Sequence, residues 1–135
     1  MRHGAILLLC LLLVACDRKP AEGPSVHLAA PATCANDWTK CADNSALARE
    51  NADWKNVPGL CQKVTEAQLQ YGTPQWGPTP FATTLPGNIY ITSGKAVAID
   101  PDVKFVSADQ VLQAKIVCEY DLKLRTVTNL YVLPH

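Results

Sequence analysis

The chain has 135 residues, with 12 basic residues against 12 acidic ones and a formal net charge of zero. A neutral chain without basic clusters lacks the electrostatic footprint of a nucleic-acid-binding protein, so we expect no nucleic-acid partner. The length suffices for one domain with one hydrophobic core.

The first sixteen residues have the parts of an export signal. Met1–His3 is short and basic, Ala5–Val14 is uncharged and apolar, and Cys16 precedes the charged segment Asp17–Lys19. The apolar run is about half of the roughly 20 residues that a membrane-spanning helix needs. It therefore suits the core of a signal peptide over residues 1–15 and not a permanent anchor.

The four residues Leu13-Val14-Ala15-Cys16 resemble the lipobox of bacterial lipoproteins. This resemblance implies a diacylglyceryl group on the Cys16 thiol, removal of residues 1–15 and acylation of the new amino terminus. Several acyl chains on one residue anchor a protein stably, so the resemblance implies a membrane-anchored protein that faces the periplasm. Aspartate after the lipidated cysteine is the family's inner-membrane retention signal, so Asp17 favours the inner membrane and leaves the outer membrane as the alternative. Ordinary secretory cleavage after Ala15 would leave Cys16 unmodified.

Residues 16–33 are predicted to be the lipidated cysteine followed by a linker, because Pro20, Pro24 and Pro31 favour extended backbone and few apolar residues accompany them. Residues 34–135 then form a single globular domain.

The first half of this domain is predicted to be helical. Asp43 or Asn44 is suited to cap a short helix that ends at Glu50. The strongest helix pattern covers 57–71, where apolar residues recur at spacings of three and four and Gly72 suits the stop.

A proline-rich loop is predicted over 72–88. It contains Trp76 and Phe81. Aromatic side chains on loops are enriched at binding hot spots, so both residues are candidate contacts for a protein partner. The alternative is that they complete the core of a small domain.

The rest of the chain predicts strands. Segments 89–92 and 95–99 are rich in β-branched residues, 110–120 alternates apolar and polar residues, and 126–133 returns as a further strand. Asp100-Pro101-Asp102 predicts a turn. The expected fold is α+β, with one or two N-terminal helices packed on an antiparallel sheet of three to four strands and stapled by disulfides.

Four cysteines remain once Cys10 in the signal and Cys16 are set aside. Exported domains fold where thiols are oxidised, so two disulfides are expected. A zinc site is the alternative, although no Cys-x-x-Cys knuckle is present. Three pairings are possible. We favour Cys61–Cys118, which joins the apolar helix face to the apolar strand face, with Cys34–Cys41.

Catalytic side chains are scarce in the predicted domain, because residues 34–133 contain no histidine. Carboxylates are the remaining candidates for acid–base chemistry, and most suit helix caps and turns. These carboxylates are Asp37, Asp43, Glu50, Asp53, Asp100, Asp102 and Asp109. Calcium at Asp100 and Asp102 would lack the usual number of oxygen ligands. We therefore expect no catalytic residue, no metal site and no cofactor.

These features together predict a membrane-tethered, non-catalytic interaction module of the bacterial envelope. It would present the loop at 72–88 or an exposed sheet edge to an envelope protein whose identity the sequence does not reveal. The alternatives are an inhibitor or a phage or toxin exclusion factor at the envelope and, less favoured, a carboxylate-dependent hydrolase.

Overall fold

The computed structural model describes residues 29–135, so the predicted signal peptide, Cys16, Asp17 and most of the predicted linker lie outside the described residues. Residues Pro31–His135 form one compact unit. Within the described range, no helix combines the length and the apolar character needed to cross a membrane.

The unit contains three α-helices and five strands within the described residues, in an α+β arrangement that confirms the predicted fold class. In chain order they are α1 (Asn44–Glu50), α2 (Val57–Glu66), β1 (Thr73–Gln75), β2 (Thr83–Thr84), α3 (Ile89–Ser93), β3 (Lys95–Val106), β4 (Val111–Asp121) and β5 (Thr126–Pro134). Short 3₁₀ turns lie at Trp38–Lys40, Trp54–Asn56 and Leu69–Tyr71.

Helix α1 begins where its sequence indicates. Asp43 has extended backbone, and its carboxylate accepts the backbone N–H of Ala46 at 2.7 Å. This bond satisfies one of the donors that the first turn of a helix leaves free. The predicted cap is therefore confirmed.

Helix α2 ends five residues before the predicted boundary at Tyr71, and the chain continues into a 3₁₀ turn over Leu69–Tyr71. Gly72 then adopts φ 95°, and a Cβ at this position would lie 2.6 Å from the carbonyl oxygen of Val106. A residue without a side chain is required there because the backbones approach so closely.

The sheet is antiparallel, with β3, β4 and β5 as neighbours in that order and β1 and β2 both paired with the other side of β3. Its inner face carries the buried side chains and packs against the helices. The core residues of this face are Ala96, Ala98, Val103, Phe105, Ala114, Ile116, Cys118 and Tyr120.

Segment 89–92 was predicted to be a strand, and this prediction is wrong. It forms α3, because contacts distant in sequence outweigh the β-propensity of its residues. The buried amide of Asn44 accepts the N–H of Tyr90, and the Tyr90 hydroxyl donates to the carbonyl of Val97 at 2.8 Å. Gly94 ends the helix in the left-handed conformation.

The turn predicted at Asp100-Pro101-Asp102 is also wrong. Strand β3 continues through it, and the register with β4 shifts between Asp100 and Val103. The proline is accommodated at a β-bulge, where the ladder is already interrupted.

The four cysteines pair in the favoured way. Cys61 on α2 and Cys118 on β4 are bonded with a Cα–Cα distance of 6.0 Å, and Cys34 is bonded to Cys41 at 4.4 Å. The first pair joins the helix layer to the sheet, and both of its residues are fully buried.

Candidate interaction surface

The two aromatic candidates of the 72–88 loop occupy different environments. Trp76 is half-buried, and its indole N–H donates to the Glu66 carboxylate at 3.1 Å. Its ring packs on Phe81 with a centroid distance of 5.6 Å. Phe81 is only 1% exposed. Its predicted contact with a partner is therefore corrected to a core position, and of the two aromatic candidates only Trp76 remains accessible.

The loop itself is held to the sheet. Its ends form β1 and β2, which pair with β3 and cover that edge. Near its middle, the backbone N–H of Phe81 donates to the buried carboxylate of Asp100 at 3.4 Å. A segment attached at both ends and at this central point is not a free binding loop.

The candidate carboxylates of the helical half serve local structure. Asp37 caps the turn at Trp38–Lys40 and accepts hydrogen bonds from the side chain and backbone of Thr39. These bonds hold the pKa of the Asp37 carboxyl below its usual range. Asp53 forms an ion pair with Arg125 at 3.1 Å. Asp43 is the α1 cap already described.

The remaining candidates follow the same pattern. Glu50 pairs with its neighbour Arg49, and Asp102 accepts the side-chain amide of Gln113 at 3.0 Å. Asp109 is exposed in the turn between β3 and β4. Among the described residues, no group of three or more histidine, cysteine or acidic side chains is placed to hold a metal ion.

Strand β5 forms the long edge of the sheet and pairs only with β4 in the part of the chain that the structure describes, whereas the short strands β1 and β2 form the opposite border. All nine of its residues are uncharged. Exposed edges usually carry charged residues that prevent pairing with other chains, and β5 has none.

The phase of the ladder shows which backbone groups of β5 face outward. The N–H of His135 donates to the carbonyl of Gln113, so His135 points toward β4. Hydrogen-bonding direction alternates along an antiparallel strand. The N–H and C=O groups of Leu130 and Val132, together with the C=O of Pro134, therefore point away from β4 and have no partner in the sheet.

A groove of about 280 Å³ lies beside this edge on the inner side of the sheet. Helix α2 supplies Val64, Gln68 follows just after the helix, and β5 supplies the segment 127–130. A second surface groove, of about 390 Å³, runs along α2 between Lys55 and Lys63. The first is lined in part by Leu130, whose N–H and C=O groups point away from β4.

The outer face of the sheet is apolar near the same edge. In register across the sheet lie Ile99 on β3, Val117 on β4 and Tyr131 on β5, with Leu133 next to them. Tyr131 is 45% exposed and Leu133 is 43% exposed. An added strand would thus meet apolar side chains on both sides of β5.

Sequence patterns predicted an exposed edge without identifying it. The strand order decides that β5 is free and that β3 is covered, and only the fold supplies that order. The absence of charged residues in 126–134 was the available signal.

Comparisons with protein-family models, curated proteins and solved structures yield no match to this chain.

Proposed function

We propose that the protein is a lipid-anchored, non-catalytic interaction module of the bacterial envelope. In this proposal it binds a protein partner by adding an extended segment to β5. The lipidated residue is Cys16, and the proposed location is the periplasmic side of a membrane, with the inner membrane favoured by Asp17.

The observation that carries the binding half of the proposal is the edge of β5. Outward N–H and C=O groups at Leu130 and Val132 can form the ladder with a new strand, and the groove beside α2 can accept every second side chain of that strand. Peptide recognition by strand addition combines these two elements, with affinity from the main chain and specificity from alternate side-chain pockets.

The position of the candidate carboxylates supports a non-catalytic role. Their contacts are two caps, two ion pairs and hydrogen bonds at the β3 bulge, and Asp109 is exposed in a turn. None of these carboxylates lines either of the two grooves. An inhibitor or exclusion factor would use the same β5 surface and would differ only in the identity of the bound protein.

Backbone substitution tests the edge directly. Val132→Pro removes an N–H that points away from β4, so the hydrogen bonds between β4 and β5 stay intact. Proline is tolerated at such a position of an edge strand. Val132→Ala is the matched control, because it shortens the same side chain and keeps the N–H.

The full-length protein would be expressed in its native host with a photoreactive residue at the exposed position 129. We expect one crosslinked partner, identified by mass spectrometry, whose yield is retained in Val132→Ala and falls at least tenfold in Val132→Pro. Equal yields in both variants, at equal thermal stability, would refute strand addition. A second variant, Thr128→Pro, lies in the β5 bulge and tests whether loss of the partner follows the outward edge or any proline in this strand.

The anchor is tested separately at Cys16. We expect the mature protein to begin at this residue with three acyl chains, and Cys16→Ser to release it from the membrane fraction. Cys10→Ser is the control, since the proposal places Cys10 in the removed peptide. Retention of Cys16→Ser at the membrane would contradict the lipid anchor and leave the β5 experiment unaffected.

A further inference from the structure

Building on the proposed strand addition, we infer that the added strand is β5 of a second copy of this chain. The two strands run antiparallel, and the two-fold axis passes between the two Tyr131 residues. The result is one continuous sheet across two molecules.

The spacing of the outward groups makes the edge self-complementary. Leu130 and Val132 lie one position to either side of Tyr131, so a two-fold rotation at Tyr131 places each opposite the other in the second copy. Each such pair exchanges two N–H···O=C bonds, and the symmetric arrangement therefore forms four. The two Tyr131 residues then form the non-hydrogen-bonded pair on the outer face, where side chains approach most closely.

Charge favours pairing with an identical strand. When a charged edge strand pairs with its own copy, like charges come to lie near each other and destabilise the pair. Strand β5 has no charged residue, so this repulsion does not arise. On the neighbouring strand, Lys115 is in register with Leu133, and Glu119 with Asn129. Because Leu133 of one copy lies opposite Asn129 of the other, each row across the interface ends in one lysine and one glutamate.

The inner side of the added strand meets the groove beside α2. Val132 of the second copy lies opposite Leu130, next to Val64 on the helix. The same strand leaves Tyr131 and Leu133 of both copies side by side on the outer face. The apolar side chains of β5 are thereby covered on both faces of the sheet, and by symmetry the same residues do this in both copies.

The size of the contact sets its strength. Five residues on each side are far fewer than the roughly 20–30 per partner in stable interfaces, so the dimer is weak when the chain is free in solution. Anchoring both copies in one membrane raises their effective concentration without new contacts. We therefore expect dimers in the membrane at protein levels where detergent-extracted protein is monomeric.

Cysteine crosslinking in the membrane tests the register. In the proposed dimer the two Cα atoms of residue 131 lie about 4.5 Å apart, which is within the range of a disulfide. The two Cα atoms of residue 133 lie about 14 Å apart, because residue 133 of one copy lies opposite residue 129 of the other, four positions away from residue 133 of that copy. Tyr131→Cys and Leu133→Cys are matched, since the native side chains lie on the same face and are 45% and 43% exposed.

With a mild oxidant added to membranes that contain the full-length protein, we expect Tyr131→Cys to form disulfide dimers at least tenfold faster than Leu133→Cys. Adding Val132→Pro to Tyr131→Cys should abolish the difference. Tyr131→Lys, which sets two ammonium groups against each other in the dimer, should disrupt homodimers detected by crosslinking at position 129.

Equal crosslinking at 131 and 133, or none at 131, would overturn the second-copy inference. If the Val132→Pro variant still loses a different, identified protein in that case, the proposed function stands and only the identity of the strand is wrong. If Val132→Pro changes no crosslink of any kind, both fail.

Discussion

The disulfide between Cys61 and Cys118 is expected to contribute more to stability than the one between Cys34 and Cys41. The bonded cysteines are 57 positions apart in the first bond and 7 positions apart in the second. A crosslink stabilises mainly by restricting the unfolded chain, and the loss of entropy grows with the logarithm of the loop length. This relation gives about 4 kcal/mol for the long loop and about 2.4 kcal/mol for the short one at 25 °C.

The assay compares two double variants by equilibrium unfolding in urea. Cys61→Ala/Cys118→Ala removes the long-range bond, and Cys34→Ala/Cys41→Ala is the matched control. Alanine is preferred at the first pair because both positions are fully buried and a serine hydroxyl would add an unsatisfied polar group. Since small domains have about 5–15 kcal/mol of total stability, the first variant should be close to unfolding.

The order of the two losses is the decisive result. A larger loss in the Cys34/Cys41 variant, or equal losses, would refute the loop-entropy argument. The native contacts of the disulfides would then determine their contribution. A lowered m-value in either variant would indicate a change in the compactness of the unfolded state, which must be separated from the midpoint before the comparison is made.

Three further predictions concern Asn44 and Tyr90. Asn44→Ala should lower the free energy of unfolding by about 2–3 kcal/mol, because the fully buried amide accepts from Tyr90 and donates to the carbonyls of Leu85 and Pro86; a loss no larger than that of the exposed cap variant Asp43→Ala, about 1 kcal/mol, would contradict this role. Tyr90→Phe should cost about 1–3 kcal/mol by leaving the Leu85 N–H without its acceptor, measured by the same unfolding assay. Burial raises the pKa of Tyr90 above its usual 10.0, so the unfolded state ionises first, and stability should fall as the pH rises above about 10; Tyr90→Phe should reduce that slope, and an unchanged slope would count against the assignment.

Several features followed from local sequence because they depend on neighbouring residues alone. The α1 cap needs only Asp43 and the N–H of Ala46 three residues later. Strand β4 follows from alternation between 110 and 120, since successive side chains of a strand point to opposite faces. The disulfide pairing followed from two amphipathic faces, because Cys61 and Cys118 each lie on the apolar one.

Other features were wrong or undetermined because they depend on contacts between distant residues. Isoleucine and threonine predicted a strand at 89–92, but the Asn44 amide, 46 positions before Tyr90, holds it as a helix. Phe81 was a candidate surface residue because it lies in a proline-rich loop, and the position of Asp100 on β3 instead draws this segment into the core.

The sequence by itself predicted the α+β class and the two disulfides that the structure shows, because each depends on residue type and short-range periodicity. The export signal with its lipobox stays a prediction from the same kind of local pattern. The tertiary structure alone decided which edge is free. Strands β1 and β2 cover β3, and β5 lies at the opposite border with its outward groups at Leu130 and Val132. Strand order results from how the helices and sheet pack together, and no local pattern contains it.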